Sequence, residues 1–172
     1  MPDLQPMSLS STPALVFQRP DGGRLKLTSP VVQTMLHHIQ DSKSKPEAGG
    51  VLLGRRILDT SDVIIDEVTS PTPEDRRTFF SFFRSRKPHQ RRIDQAWHES
   101  NGTSNYLGEW HTHPEDSPAP SQRDRRSWRK ALKETIFEGD ELFFVIVGST
   151  SLCVWEGAKF SRKIVRLAKL DQ

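Results

Sequence analysis

The segment from Gly108 to Asp124 constrains the fold of this chain more than any other part of the sequence. It reads Gly-Glu-Trp-His-Thr-His-Pro-Glu-Asp-Ser-Pro-Ala-Pro-Ser-Gln-Arg-Asp. The stretch up to the second histidine predicts a strand, and the three prolines that follow cannot continue a strand ladder. Ser121 is a favourable N-cap residue, so a helix is expected to begin there. The segment therefore predicts a strand, a short irregular connector and a helix.

The same segment holds residues that are suited to bind a metal ion. His111 and His113 lie two positions apart in the predicted strand, so both imidazoles face the same side and can reach one ion. Asp124 falls in the first turn of the next helix, where a short, stiff connector can return its carboxylate to the histidines. Two histidines and a carboxylate with one open position are typical of catalytic zinc. A bare His-x-His pair often binds nothing, so the pair alone does not decide the matter.

The cysteine count and the net charge exclude some kinds of metal site and make some partners less expected. Cys153 is the only cysteine, which excludes an internal disulfide and a thiolate-cluster metal site. The 25 basic and 22 acidic residues leave a net charge of +3, too small to predict nucleic-acid binding. Two groups of arginines are read either as solvated helix faces or as a surface for an acidic partner: Arg84, Arg86, Arg91 and Arg92, and Arg123, Arg125, Arg126 and Arg129.

No run of about eighteen apolar residues and no basic start followed by an apolar stretch is found, so we expect a cytoplasmic protein without a membrane span. Residues 1–13 are rich in Ser and Pro and predict a mobile leader. Residues 14–172 are expected to form a single domain.

Strands and helices can be predicted along this domain. A hairpin is expected around residues 21–23, then a helix with Ser29 as N-cap and Pro30 at its first position, ending near Ser42. Two paired strands, a helix over 88–100, the strand and helix around the histidines, and three terminal strands complete the pattern. Because strands arrive in groups, the fold class is α/β of the α+β type, not a doubly wound parallel sheet. The segment from Pro71 to Arg86 is either a substrate loop or a structural strand.

One further carboxylate completes a recognisable pattern. Glu47 stands in Pro-Glu-Ala-Gly-Gly-Val-Leu-Leu-Gly, ahead of an apolar strand, and is followed later by His-x-His-x7-Ser-x2-Asp. This combination closely resembles the signature of the JAB1/MPN/Mov34 (JAMM) metalloproteases. The resemblance covers about residues 14–168 and is nearest to the compact bacterial JAB proteins of integrative elements and of the anti-phage systems called CBASS. It implies an MPN/JAB-like curved mixed β-sheet flanked by helices.

The resemblance also implies a role for each matching residue. His111, His113 and Asp124 would be the ligands of one zinc ion per chain, with a water as the fourth ligand. Glu47 would be the general base, and Ser121 would donate a hydrogen bond to the oxyanion. An N-cap role alone remains the alternative for Ser121. Three neighbouring acids have no place in the pattern: Glu109, Glu115 and Asp116.

The function implied is a zinc isopeptidase that cleaves after the C-terminal glycine of a ubiquitin-like or similarly tailed protein. Its partners would be a conjugated target such as a nucleotidyltransferase, and activating and conjugating enzymes encoded nearby. A processing peptidase for a sulfur-carrier-like precursor and a non-catalytic MPN scaffold are the alternatives.

Overall fold

The structure is a computed structural model that describes residues 12–171. The leader predicted for residues 1–13 thus lies outside the described residues except for its last two positions. The described part contains three helices, α1 (Ser29–His37), α2 (Arg86–Glu99) and α3 (Gln122–Glu134). Its strands are β1 (Leu15–Gln18), β2 (Arg24–Leu27), β3 (Gly49–Arg56), β4 (Val63–Val68), β5 (Arg76–Thr78), β6 (Ser81–Phe83), β7 (Asn105–Thr112), β8 (Glu141–Val147), β9 (Leu152–Ala158), β10 (Ile164–Arg166) and β11 (Ala168–Lys169).

Nine strands form one mixed sheet in the order β10-β9-β8-β7-β3-β4-β2-β1-β11. The pairs β2/β4 and β7/β8 are parallel and the other pairs are antiparallel. The two edge strands, β10 and β11, are separated in the chain only by Leu167, which is buried and donates its N–H to Val154. A single residue can join opposite edges only if the sheet curves strongly. The prediction of a curved mixed sheet is therefore confirmed.

The helices cover the sheet because each carries one apolar side. In α1, Val31, Val32 and Met35 are buried in a cluster with residues of the central strands. In α3, the Trp128 ring stacks on Phe144 of β8 with centroids 4.6 Å apart. Such aromatic burial contributes strongly to core stability. The helix α3 packs against β8 and β9 and begins at the end of the proline-rich connector.

The structure corrects the bounds predicted for α1. The N-cap residue is Thr28, not Ser29, because Thr28 still donates its N–H to Ile65 in the sheet while its carbonyl accepts from Val32. The helix ends at His37, earlier than Ser42. Two residues beyond its C-cap, the amide of Gln40 is buried and donates to the carbonyl of Phe79, which draws the chain away from the helix axis.

The segment Thr-Phe-Phe-Ser-Phe-Phe does not form one strand. It contributes to a two-stranded hairpin, β5–β6, whose turn holds Phe79 and Phe80. The hydroxyls of Thr78 and Ser81 lie 2.7 Å apart across this turn. The Phe80 N–H also donates to the Thr78 hydroxyl at 3.2 Å, so local side-chain hydrogen bonds bend the chain there. None of the helices in the described part of the chain is long and apolar enough to cross a membrane.

Candidate metal centre

Glu47 lies just before β3, and its backbone forms hydrogen bonds with β5 of the β5–β6 hairpin. The N–H of Glu47 donates to the carbonyl of Thr78 at 2.8 Å, and its carbonyl accepts from Nε of Arg77 at 2.9 Å. On the other side, the N–H of Ala48 donates to the hydroxyl of Thr112 at 2.9 Å. The backbone of Glu47 is thereby fixed between the β5–β6 hairpin and β7.

The two histidines lie at the end of β7, as predicted. His111 is paired with Gly49 of β3 and with Ile146 of β8, and the N–H of His113 donates to Val147. Alternation along the strand buries Trp110 and Thr112 on the other face. The Nε2 atoms of His111 and His113 lie 3.0 Å apart, so the expectation that both imidazoles share one face is confirmed.

The connector between β7 and α3 is fixed by the loop between β8 and β9. The hydroxyl of Ser149 donates to the Asp116 carboxylate, and the N–H of Ser149 donates to the carbonyl of Glu115 at 2.8 Å. A Cβ atom on Gly148 would lie 2.5 Å from that same carbonyl oxygen, so only glycine permits this approach. The short connector returns the chain to the histidines in one defined path.

Ser121 and Asp124 form a capping box at the start of α3. The N–H of Asp124 donates to the Ser121 hydroxyl at 3.1 Å, and the N–H of Ser121 donates to Oδ2 of Asp124 at 2.7 Å. The predicted N-cap is therefore confirmed. The box also sets the rotation of the Asp124 carboxylate, whose Oδ1 lies 3.3 Å from Nε2 of His111 and whose Oδ2 lies 3.2 Å from Nε2 of His113.

These distances and donor types fit a zinc ion. Zinc–ligand bonds of about 2.0–2.1 Å at tetrahedral angles separate two ligand atoms by about 3.4 Å. The two Nε2 atoms lie 3.0 Å apart, and each lies 3.2–3.3 Å from one of the two carboxylate oxygens of Asp124, Oδ1 for His111 and Oδ2 for His113. All three side chains are only 11–15% exposed, so a cation would be held in a largely desolvated site.

A carboxylate oxygen of Glu47 lies within 4.8 Å of one nitrogen of each histidine. No hydrogen bond or ion pair engages this carboxylate among residues 12–171. Burial raises its pKa, although the two histidines act in the opposite direction. An unengaged carboxylate with a raised pKa is suited to accept and release protons.

The other pKa shifts in the site follow from the same cluster. Burial opposes ionisation of Asp124, yet hydrogen bonds from His111 and His113 outweigh it and hold the pKa of Asp124 well below its usual range. Burial also acts to lower the pKa of His113, but the contact with Asp124 raises it overall. The carboxylate is thus ionised at neutral pH, as a metal ligand must be.

The three neighbouring acids have separate partners. Glu109 pairs with Arg84 at 3.2 Å and accepts from the Tyr106 hydroxyl at 3.3 Å. Asp116 holds the β8–β9 loop. Glu115 lies 3.8 Å from Nδ1 of His113, a buried atom that has no hydrogen-bond partner in the described part of the chain. Of the three, Glu115 is the one placed to orient a histidine.

The site opens into a groove of about 880 Å³. Residues 80–84 of the hairpin form one wall and the first turns of α3 form the other. A Cβ atom on Gly49 would lie 2.8 Å from the Phe82 ring, so that ring lies directly over the backbone that pairs with His111. The segment between Pro71 and Arg86 is therefore both a stranded structure and a wall of the groove.

A second hydrogen-bonded cluster supports the hairpin side of the groove, and no local sequence pattern predicts it. Nε2 of His89 lies 3.0 Å from the Asp75 carboxylate, and its Nδ1 lies 2.7 Å from the Thr69 hydroxyl. Asp75 also accepts the N–H groups of Thr72 and Ser85, each at 2.7 Å. The cluster ties the start of α2 and both ends of the hairpin to the loop after β4.

The sequence of this chain is similar to those of several known proteins. Residues 28–163 match the family described as prokaryotic homologs of the JAB domain. A Vibrio cholerae protein named CD-NTase/cGAS isopeptidase is 34% identical over 157 residues, which cover 91% of this chain and 96% of the relative. A Pseudomonas aeruginosa protein of the same name is 37% identical over 130 residues, covering 76% of this chain and 80% of the relative.

The fold has a counterpart among solved structures. A protein from Desulfitobacterium hafniense, determined in solution, aligns with a TM-score of 0.54 at 23% identity, and the alignment covers 81% of this chain and 87% of that one. This likeness concerns the fold alone. The family match spans most of the chain, and it includes Glu47, both histidines, Ser121 and Asp124. The chain belongs to the prokaryotic JAB-domain family.

Proposed function

We propose that the protein is a zinc-dependent isopeptidase. It hydrolyses the bond between the C-terminal glycine of a ubiquitin-like or similarly tailed protein and the amine to which that glycine is conjugated. The observation that carries the proposal is the convergence of His111, His113 and Asp124 within 3.0–3.3 Å, with the Glu47 carboxylate beside them in an open groove. The names of the relatives make a nucleotidyltransferase the favoured conjugated partner.

Each residue of the site has a distinct task in this reaction. A zinc ion held by the two histidines and Asp124 would lower the pKa of a water and polarise the scissile carbonyl. Glu47 accepts a proton from the attacking water and passes it to the leaving amine. The Ser121 hydroxyl accepts the Asp124 N–H as a cap, so its own proton is available for the developing oxyanion.

The hairpin offers a main-chain edge to the tail of the substrate. Strand β6 lines the groove and pairs only with β5 among residues 12–171. An extended tail can add to β6 through main-chain hydrogen bonds. Because the Phe82 ring lies over Gly49 beside the histidines, the end of that tail must be small, which favours glycine.

A cytoplasmic role in anti-phage defence, with activating and conjugating enzymes as further partners, belongs to the same proposal. The CD-NTase in the names of the relatives supports the defence context, while the location and the two enzymes are what the resemblance of the sequence implies. Two alternatives use the same fold: processing of a sulfur-carrier-like precursor, and a non-catalytic scaffold. The complete donor set argues against the scaffold, since a scaffold does not need a metal ligand set.

The experiment compares two substrates with the same tail. In one, the terminal glycine is joined to a lysine side chain of a target protein, and in the other it continues as a linear fusion. Wild-type protein loaded with zinc should cleave the lysine-linked conjugate, while Glu47→Gln should be at least about a hundredfold slower. Cleavage of the linear fusion alone would favour precursor processing. No zinc-dependent cleavage of either substrate would refute the proposed function.

A further inference from the structure

The wall of the groove carries two arginines that bracket one aromatic ring. Cζ of Arg76 lies 5.8 Å from the centroid of Phe83, and Cζ of Arg123 lies 5.9 Å from the same centroid. Arg76 and Phe83 belong to the hairpin, whereas Arg123 belongs to α3, so the three residues join the two sides of the groove. We call these three residues the arginine–phenylalanine wall.

Neither guanidinium group forms an ion pair in the described part of the chain. Of the carboxylates that line the same groove, Glu109 pairs with Arg84 and Asp124 contacts the histidines, whereas Glu47 has no hydrogen-bond partner among residues 12–171 and interacts with the charge of Arg123 only at longer range. A guanidinium beside an aromatic face keeps its N–H donors available at its edges. Phe83 lines the groove and is 51% exposed. The wall thus presents unpaired cationic donors around an apolar surface.

From this arrangement we infer that the arginine–phenylalanine wall selects substrates whose tail carries acidic residues a few positions before the scissile bond. The inference rests on the proposed function and deepens it. Arg123 directly precedes Asp124 in α3, and all three residues of the wall line the same groove as Glu47 and the two histidines, so the wall lies close to the proposed reacting centre. At about 3.3 Å per extended residue, a tail that ends at the centre passes the wall within its last few residues.

A carboxylate of the tail is favoured over the phosphates of a nucleic acid. The same groove is lined by four arginines and four carboxylate side chains, so its charges are of both signs, and the carboxylates would repel a continuous phosphate backbone that passed along it. The carboxylates are those of Glu47, Glu109, Glu115 and Asp124. An acidic peptide residue can contact the arginines locally while the rest of the tail is neutral. A net charge of +3 for the whole chain also gives little general attraction for nucleic acid.

The test uses tails that differ only in residues two to seven before the terminal glycine. Each tail is joined through its terminal glycine to a fluorescein-labelled lysine, and Asp, Ser or Lys is placed at one of these positions at a time. At the best position, wild-type protein should show a kcat/KM about tenfold higher for Asp than for Lys, and the ratio should fall with added salt. The double variant Arg76→Gln/Arg123→Gln should reduce the ratio to about twofold or less.

Arg129→Gln is the matched control, because Arg129 is exposed on α3 and does not line the groove. It should keep the full Asp-to-Lys ratio. Equal rates for Asp and Lys tails in the wild type, or a ratio that persists in the double variant, would overturn the inference while leaving the proposed function intact.

Binding of the labelled tails, measured by fluorescence anisotropy, tests the inference without turnover. Tighter binding of the Asp tail to the wild type, lost in the double variant, would support it even if no tail were cleaved. Tighter binding of a single-stranded oligonucleotide than of any tail, lost in the same variant, would refute it in favour of nucleic acid.

Discussion

The buried Asp75 supports the groove wall, and its replacement gives a sharp prediction. Its carboxylate accepts hydrogen bonds from the N–H groups of Thr72 and Ser85, each at 2.7 Å, and lies 3.0 Å from Nε2 of His89. In Asp75→Ala these three polar groups lose their buried partner, at about 1–3 kcal/mol each when nothing replaces it. Allowing for partial relaxation, the free energy of unfolding should fall by about 3–5 kcal/mol.

Urea unfolding followed by tryptophan fluorescence measures this loss, with chelator present so that metal binding does not contribute. Glu74→Ala is the matched control, since Glu74 is the exposed neighbouring acid. The control should change the stability by no more than about 0.5 kcal/mol. A loss below about 1 kcal/mol in Asp75→Ala would show that the cluster does not anchor the hairpin as argued.

The same residue predicts a pH dependence of stability. Burial alone would raise the pKa of Asp75, but the hydrogen bonds from Thr72, His89 and Ser85 outweigh it and lower the pKa. The contribution of the carboxylate is therefore complete above its unfolded pKa of about 3.9 and is lost as the pH falls through the lower folded value. In a His89→Gln background, which removes the titration of the imidazole, the stability gained from Asp75 should be constant from pH 7 to 5 and decline at pH 3. A constant gain down to pH 3 would contradict this argument.

Further predictions concern the metal, the cap and the tail. Wild-type protein should hold about one zinc per chain after dialysis, whereas His111→Ala and Asp124→Ala should lose it; elemental analysis that finds full zinc in either variant would refute the ligand assignment. Glu47→Gln should retain its zinc, because the proposed role of Glu47 is that of a general base. Loss of zinc in this variant would instead identify Glu47 as a fourth protein ligand. Ser121→Asp keeps a capping group but has no hydroxyl proton, so its helix should stay stable while kcat falls about a hundredfold, in contrast to Ser121→Thr. Replacing the terminal glycine of the tail by leucine should sharply lower kcat/KM. Equal rates for the glycine and leucine tails would refute the argument that the Phe82 ring leaves room only for a small residue.

Much of the candidate metal centre could be predicted from the sequence, because the residues proposed as its ligands are positioned by local rules. Strand alternation places His111 and His113 on one face, and the capping preference of Ser121 positions Asp124 in the first helical turn. The one further requirement is that the connector between β7 and α3 brings Asp124 back to the histidines. Because the connector is short and rich in proline, few backbone conformations are open to it. These are short-range relations that one stretch of sequence contains in full.

The surroundings of the centre depend on long-range pairing, which the sequence pattern does not reveal. Arg77 contacts the carbonyl of Glu47 thirty positions away, and Thr69 contacts His89 across twenty positions. Nothing in the periodicity around these residues marks them as partners. The strands β10 and β11 are likewise too short to be predicted from a local pattern. They lie at opposite edges of the sheet and are joined at Leu167 only because the whole sheet is curved.

The hairpin links the groove to the position of Glu47, the proposed general base. Residues of β6 line the groove, while Thr78 and Arg77 in β5 hold the backbone of Glu47. The two ends of the hairpin are fixed by the Asp75 cluster. If the proposed function holds, a substitution in the arginine–phenylalanine wall should act mainly on KM. A substitution that loosens β5 should displace Glu47, the proposed general base, and act on kcat. Arg76 and Arg77 are adjacent in the chain but differ in this respect, because the side chain of Arg76 contacts the Phe83 ring and that of Arg77 contacts Glu47. Parallel kinetics of Arg76→Gln and Arg77→Gln should show this division, and identical effects on both constants would mean that the wall and the base are not separately supported.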